Sequence, residues 1–306
     1  MLTAADVKEA ARAAGADLIG IASPERFADV PPERNPMSIF PEARSVIVVG
    51  RRITRGSLRG VEEGTHFNSF HMFGYFSLDS DFLALTTFSL VSYLEDRGWE
   101  ATPLFPYPPE AHPQGIPVRD GQPAPNVYPD MDYAAVAAGL GEIGYCRVFL
   151  SPQYGPRQRF QLVLTDLELE PDPLLPDPIC GFCGKCVAAC PLGALHAERD
   201  EQLVVAGRSF RVCGVDWAKC RSCQNGAVPN RYHPSGKPER TAALCIRTCL
   251  DALERNGKLS NRFAHEFRQR DPWALDHFGQ ATMVDTSSKA TGCADPGGFR
   301  AQKGEA

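Results

Sequence analysis

The chain has 306 residues, 43 % of them hydrophobic, and a formal charge of -5 with acidic and basic residues mixed along its length. That length supports one large core or two smaller ones, and the charge balance gives no general drive toward nucleic acid. No apolar run approaches the roughly 18 residues that span a bilayer, and the 11 cysteines come without a secretory leader pattern, so a soluble cytoplasmic protein with reduced thiols is expected.

In chain order, Thr3 and Asp6 form a capping box and Gly15 a stop, which predicts a helix over residues 4–14. Asp17–Ala22 and Ser45–Val49 are short apolar runs that read as buried strands of an α/β layer. Arg51, Arg52, Arg55 and Arg59 follow, a stretch that fits either an anion clamp or a solvated face. Phe82, Leu85, Phe88, Leu90, Val91 and Leu94 fit an amphipathic helix over Ser80–Arg97, closed by Gly98 and followed by a further strand.

Residues 101–131 are rich in proline, which removes backbone donors and argues against regular structure there. Long ordered loops are often functional. Tyr107, His112, Asp120, Tyr128 and Asp130 within it, and Asp132 just after, are the candidates for lining a pocket. A short helix over Tyr133–Ala138 leads into Gly139-Leu140-Gly141-Glu142-Ile143-Gly144, whose glycines permit tight turns and close backbone approach. This is no dinucleotide fingerprint, because the glycines follow a helix and not a strand. Phe160–Thr165 reads as a strand and Pro171–Pro178 as a linker.

Cys180, Cys183, Cys186 and Cys190, followed by Pro191, have the bacterial ferredoxin spacing that wraps a 4Fe-4S cluster. In that pattern three cysteines hold one cluster and the fourth points to another. Zinc sites prefer two separated pairs, and disulfides have no reason for this rhythm. A partner run exists in interrupted form: Cys220 and Cys223, then 21 residues, then Cys245 and Cys249. The spacing therefore assigns Cys180, Cys183, Cys186 and Cys249 to one cluster and Cys220, Cys223, Cys245 and Cys190 to the other. Cys213 is either a ligand in place of Cys245 or Cys249 or a small buried hydrophobe. Cys146 and Cys293 stand alone and read as free thiols. The helix carrying Cys249 runs on to Gly257, and the remainder, with its polar stretch Asp285–Lys289, reads as a loosely packed tail.

The N-terminal VKEAARAAGADLIGIAS, the AAGLGEIG segment, the SPQYGPR turn at Ser151–Arg157 and the CGFCGKCVAACPLGAL run together resemble the family of epoxyqueuosine reductases and reductive dehalogenases. The resemblance implies an α/β, or α+β, domain related to flavin nitroreductases over residues 1–172, a double 4Fe-4S ferredoxin-like module over 173–256 and a tail over 257–306. It also implies a base-off cobalamin, a corrinoid that takes electrons from the clusters and reduces a small organic substrate. Gly139, Leu140, Gly141 and Gly144 would border that corrinoid, with Tyr154, Gly155 and Arg157 in an adjoining turn. Reduced ferredoxin or flavodoxin would supply electrons.

Three departures qualify the resemblance. Pro125-Asn126-Val127-Tyr128 stands where epoxyqueuosine reductases place an acidic proton donor, leaving Tyr128, Asp130 and Asp132 as candidates for that catalytic role. Epoxyqueuosine reductases carry a helical-repeat extension associated with tRNA where only a short segment follows Cys249 here, so action on tRNA is not expected. The second cysteine run is interrupted and lacks a closing proline, which points to a separate subfamily. Two other readings stay open: an electron-transfer or accessory iron-sulfur protein without corrinoid, and a flavin-containing reductase on the same scaffold.

Overall fold

The computed structural model describes residues 2–106, 115–228 and 237–284, so Tyr107, His112, Cys293 and the Asp285–Lys289 stretch lie outside the described residues. Thr3 and Asp6 make the capping box: the Asp6 N–H donates to Thr3 Oγ1 at 3.3 Å and the Thr3 N–H donates to the Asp6 carboxylate at 2.9 Å. Such a cap contributes about 1 kcal/mol and starts the helix Ala4–Ala13.

Six strands follow in the first part of the chain: β1 Leu18–Ala22, β2 Ser45–Arg52, β3 Ala101–Leu104, β4 Glu142–Ile143, β5 Phe149–Leu150 and β6 Gln158–Thr165. Four form one sheet in the order β1-β2-β6-β3, with every neighbouring pair antiparallel. The class is thus mixed α/β, and the sheet is of the α+β kind. Strand alternation sorts the side chains onto two buried faces. Ile19, Ile21, Ile47, Val49 and Val163 pack with Val7 and Leu90 of the helices Ala4–Ala13 and Ala84–Glu95. Leu18, Val46, Val48, Leu162 and Leu164 pack with Ala134–Ala137 of the helix Met131–Ala137. Each such apolar side chain contributes about 1.5–3 kcal/mol by leaving water.

Two expectations are corrected here. The helix expected over 80–97 is Ala84–Glu95, preceded by the π-helical stretches His71–Phe76 and Leu78–Leu83. Gln161 donates to the Asp79 carbonyl at 2.9 Å, and Arg159 grips the Asp79 carboxylate, so this turn is pulled out of the regular ladder. The strand expected after Gly98 is β3, which takes up the first residues of the proline-rich segment where no regular structure was expected; Pro103 is accommodated because β3 is an edge strand bonded to β6 alone.

The cysteine-bearing part contains the short helix Lys185–Ala188, a hairpin of β7 Leu195–Val205 and β8 Arg208–Val215, and the helices Trp217–Arg221 and Leu244–Arg255. Ala206 and Gly207 at the hairpin turn both have positive φ, 50° and 75°, the requirement of a type I′ turn. Val205, Phe210 and Val212 of the hairpin join the core beside Met131–Ala137, seating this part on the α/β sheet domain. The expected loose tail is packed at least through Ala274: Leu259, Phe267 and Ala274 are buried. Glu62 holds Arg268 there, and the Trp273 indole N–H donates to the Val61 carbonyl at 2.8 Å. Among the described residues no helix is long and apolar enough to cross a membrane.

Candidate metal centres and the adjoining pocket

Phe182 and Gly184 take positive φ, 51° and 70°, turning the chain tightly between Cys180 and the helix that carries Cys186. Cys249 comes to this loop from the helix Leu244–Arg255, and the charges of Cys180 and Cys183 both act on its thiol. Burial pushes the Cys180 thiol up to about 11, while its Sγ accepts the Tyr145 N–H at 3.4 Å. Glu142 braces the same loop, accepting the N–H groups of Ile179 at 3.0 Å and Cys180 at 2.6 Å. Cys146, expected to stand apart, is buried in one hydrophobic cluster with Cys186, and Cys186 and Cys249 are the neighbours that act most on its thiol. Its place beside the glycine segment gave no spacing signal that tied it to the cysteine runs.

The second set converges on one small cavity lined by Cys190, Cys220, Cys223 and Cys245 together with Arg240. Cys220 sits on the helix Trp217–Arg221, which Asp216 caps by accepting the Lys219 N–H at 3.1 Å. Asn225 fixes the turn after Cys223 by donating to the Leu275 carbonyl at 2.8 Å. Burial raises the thiols of Cys220, Cys223 and Cys245 above the ordinary range. Cys213 is fully buried, lines no part of this cavity, and packs near Cys146, with burial pushing its thiol up to about 12.

Arg240 is 3 % exposed. Its Nη2 donates to the carbonyls of Cys146 at 2.7 Å and Arg147 at 3.0 Å, and its guanidinium lies 5.5 Å from the Trp217 ring centre. Cys220 is within reach of it, yet Nε and Nη1 make no hydrogen bond of normal geometry. A buried cation with idle donors is costly unless negative charge faces it, and the groups that favour its charge are the thiols of Cys245, Cys220, Cys146 and Cys213. The second cavity therefore suits a thiolate-bound group of net negative charge. Among the described residues no three His, Cys, Asp or Glu side chains are placed to hold a single metal ion. A cluster cube differs in this respect, because it holds its thiolates farther apart than one ion does.

The residues expected to border a corrinoid do not offer it an open cradle. A Cβ built on Gly139 would stand 2.2 Å from the Pro173 carbonyl oxygen, on Gly141 2.0 Å from that of Leu150, and on Gly144 2.7 Å from the Leu150 side chain. These glycines let the chain pack on itself. Leu140 and Tyr154 pack against the core. Gly155, at φ 60°, faces Leu253 and Leu259. Arg157 is 1 % exposed and clamps the Ile53 carbonyl at 2.6 Å and Asn261 at 2.8 Å.

A cavity of about 360 Å³ is lined by Asp130, Asp132, Tyr133, Trp217 and Lys237 among others. Asp130 caps the helix Met131–Ala137, accepting the N–H groups of Asp132 at 2.9 Å and Tyr133 at 3.2 Å, which accounts for its position structurally. Asp132 is ion-paired with Lys237. Burial works against the Lys237 charge, but Asp132 and Asp130 hold its proton more tightly than usual. Tyr128 is buried, donates its N–H to the Glu33 carbonyl at 3.1 Å and lines neither this cavity nor its smaller neighbour. Asp120 also lines neither cavity. The smaller neighbour, about 110 Å³, shares Asp130, Asp132 and Lys237 and adds Arg240, so one guanidinium fronts both a pocket and the second thiol set.

No family model matches the chain. A tetrachloroethene reductive dehalogenase of Desulfitobacterium hafniense is 41 % identical over 73 residues, 23 % of this chain and 13 % of its own. An epoxyqueuosine reductase of Bacillus subtilis is 27 % identical over 176 residues, 49 % of this chain and 45 % of its own. The chain thus spans less than half the length of either relative. Among solved structures, a variant of the catabolic reductive dehalogenase NpRdhA superposes with a TM-score of 0.52 at 17 % identity, over 92 % of this chain and 39 % of that one, a likeness of fold. The chain is related to the reductive dehalogenases and epoxyqueuosine reductases, the family that its cysteine run, glycine segment and Ser151–Arg157 turn resemble.

Proposed function

We propose that the protein is an iron-sulfur reductase in which a double 4Fe-4S module of ferredoxin type is seated on a nitroreductase-like α/β domain and passes electrons toward the pocket of Asp132 and Lys237. The observation that carries the reading is the exchange of cysteines between the two runs. Cys249 of the second run meets the loop of the first, and Cys190 of the first lines the cavity of the second. The idle donors of buried Arg240 support an anionic occupant in that cavity.

Bound clusters would supply single electrons at low potential. The chain's own residues do the rest. The four-cysteine sets would hold the clusters as thiolates and Arg240 would offset their charge, while Trp217 and Tyr133 shape a pocket of a size that suits a small organic molecule. The Lys237 ammonium, steadied by Asp132, holds a proton at Nζ where a reduced substrate needs one. Reduced ferredoxin or flavodoxin is the class of donor that fits, and the cytoplasm the compartment.

The glycines expected to border a corrinoid are packed against the chain's own atoms, which favours a route that ends at the pocket of Asp132 and Lys237. Iron, sulfide and cobalt analysis on protein prepared anaerobically with cobalamin tests the whole reading. About eight irons per chain without cobalt is the expected result. Retained cobalt would restore the corrinoid reading, and absence of iron would remove the reductase reading altogether. Candidate small molecules and tRNA both belong in the substrate screen that follows.

A further inference from the structure

We infer that Arg240 sets the reduction potential of the second cluster above that of the first, so that an electron entering the protein comes to rest beside the pocket. The inference rests on the two-cluster reading above. Three observations carry it. Arg240 is buried among Cys190, Cys220, Cys223 and Cys245, with no hydrogen bond of normal geometry from Nε or Nη1 and with the Cys220 thiol within its reach. Among the described residues it has no ion pair with a carboxylate; its remaining nitrogen is held by the carbonyls of Cys146 and Arg147, and Trp217 flanks its plane. The loop of the first set is instead held by Glu142, which accepts the Ile179 and Cys180 N–H groups, and the Arg211 guanidinium, over the Phe182 ring of that loop at 5.7 Å, is already paired with Asp200.

The physical consequence follows from charge. A thiolate-ligated cluster is anionic in both states and carries one more negative charge when reduced. A nearby buried cation, and hydrogen bonds from it to ligand sulfur, favour the reduced state, whereas a nearby acid does not. With both clusters bound, one electron delivered to the first by a reduced ferredoxin- or flavodoxin-class donor would be favoured to move to the second, reoxidising the first and reducing the second with no bond or proton exchanged. Arg240 also lines the smaller cavity with Asp132 and Lys237, so the charge it favours would lie at the pocket wall. Arg240 is in this sense a positioning residue for charge.

The test is a potentiometric titration, followed by electron paramagnetic resonance, of anaerobically prepared full-length wild type, Arg240→Gln and Arg240→Lys, each with its iron content. Expected for Arg240→Gln are about eight irons and a tenfold loss of preference for the reduced state at one cluster, which is about 59 mV for a one-electron couple. The other cluster should stay within a small fraction of that shift. If Arg240→Gln loses iron, Arg240→Lys decides: it should keep its iron and shift the same cluster in the same direction by a smaller amount. Unchanged potentials in an iron-replete variant, or equal shifts of both clusters, overturn the inference. A wild type that binds no iron overturns the function reading instead.

Discussion

Glu62→Gln tests how the N-terminal part of the chain holds the helix that brings Cys245 and Cys249 to the two cysteine sets. The Glu62 side chain is 4 % exposed and lies between Arg247, 0 % exposed at 2.7 Å, and Arg268, 6 % exposed at 2.5 Å. The substitution keeps the volume and removes the negative charge, leaving two buried guanidinium groups with a neutral amide. Breaking a buried pair from one side costs about 3–5 kcal/mol, a large part of the roughly 5–15 kcal/mol that holds a typical domain folded. Urea unfolding followed by tryptophan emission reports on it, since Trp273 bonds to Val61 and its ring lies 5.6 Å from the Arg247 guanidinium. With a slope near 3 kcal/mol/M the midpoint should fall by on the order of 1 M. A change worth less than about 1 kcal/mol at unchanged slope would refute the reasoning.

The same carboxylate gives a pH dependence of definite sign. Burial alone raises its pKa, but the hydrogen bonds and charges of Arg268 and Arg247 outweigh burial and hold it below its ordinary value of 4.5. Its contribution is complete above that value and is lost as pH falls through the lowered one, so acid unfolding of wild type should show a loss that Glu62→Gln lacks. Cys183→Ser and Cys186→Ser should each lower iron from about eight toward about four per chain; full retention in both would remove the first assignment. Cys146→Ala should keep about eight irons despite its contacts with Cys186 and Cys249, and loss of half would make it a ligand. Gly141→Ala drives a Cβ to 2.0 Å from the Leu150 carbonyl and should destabilise by about 1–3 kcal/mol or more; a stable variant binding cobalamin would show that the glycine face opens.

Much of the sheet domain was legible in the sequence because its signals are local. The Thr3 capping box, the β-branched run of β2 and the apolar strand β6 each announce themselves within a few residues. The β7–β8 hairpin was missed because most of β7 is exposed and charged, so neither alternation nor a strong turn pair marks it. Helix Ala84–Glu95 lost its expected first turn to a long-range event, the capture of Asp79 by Arg159 and Gln161. At the site, cysteine spacing carried the two sets, since ferredoxin geometry is written into adjacent residues. Arg240 and Lys237 were not legible. They lie in the insert between Cys223 and Cys245, where nothing in the local pattern says that one will be buried among thiols and the other paired with Asp132.

Iron and acid-labile sulfide, counted on anaerobically prepared protein together with its resonance spectrum after reduction, test the central claim most directly. About eight irons and as many sulfides, with the signature of two interacting 4Fe-4S clusters, is the predicted result. About four irons would reduce the two cysteine sets to one occupied site, and zinc in place of iron would contradict the reductase reading at its root.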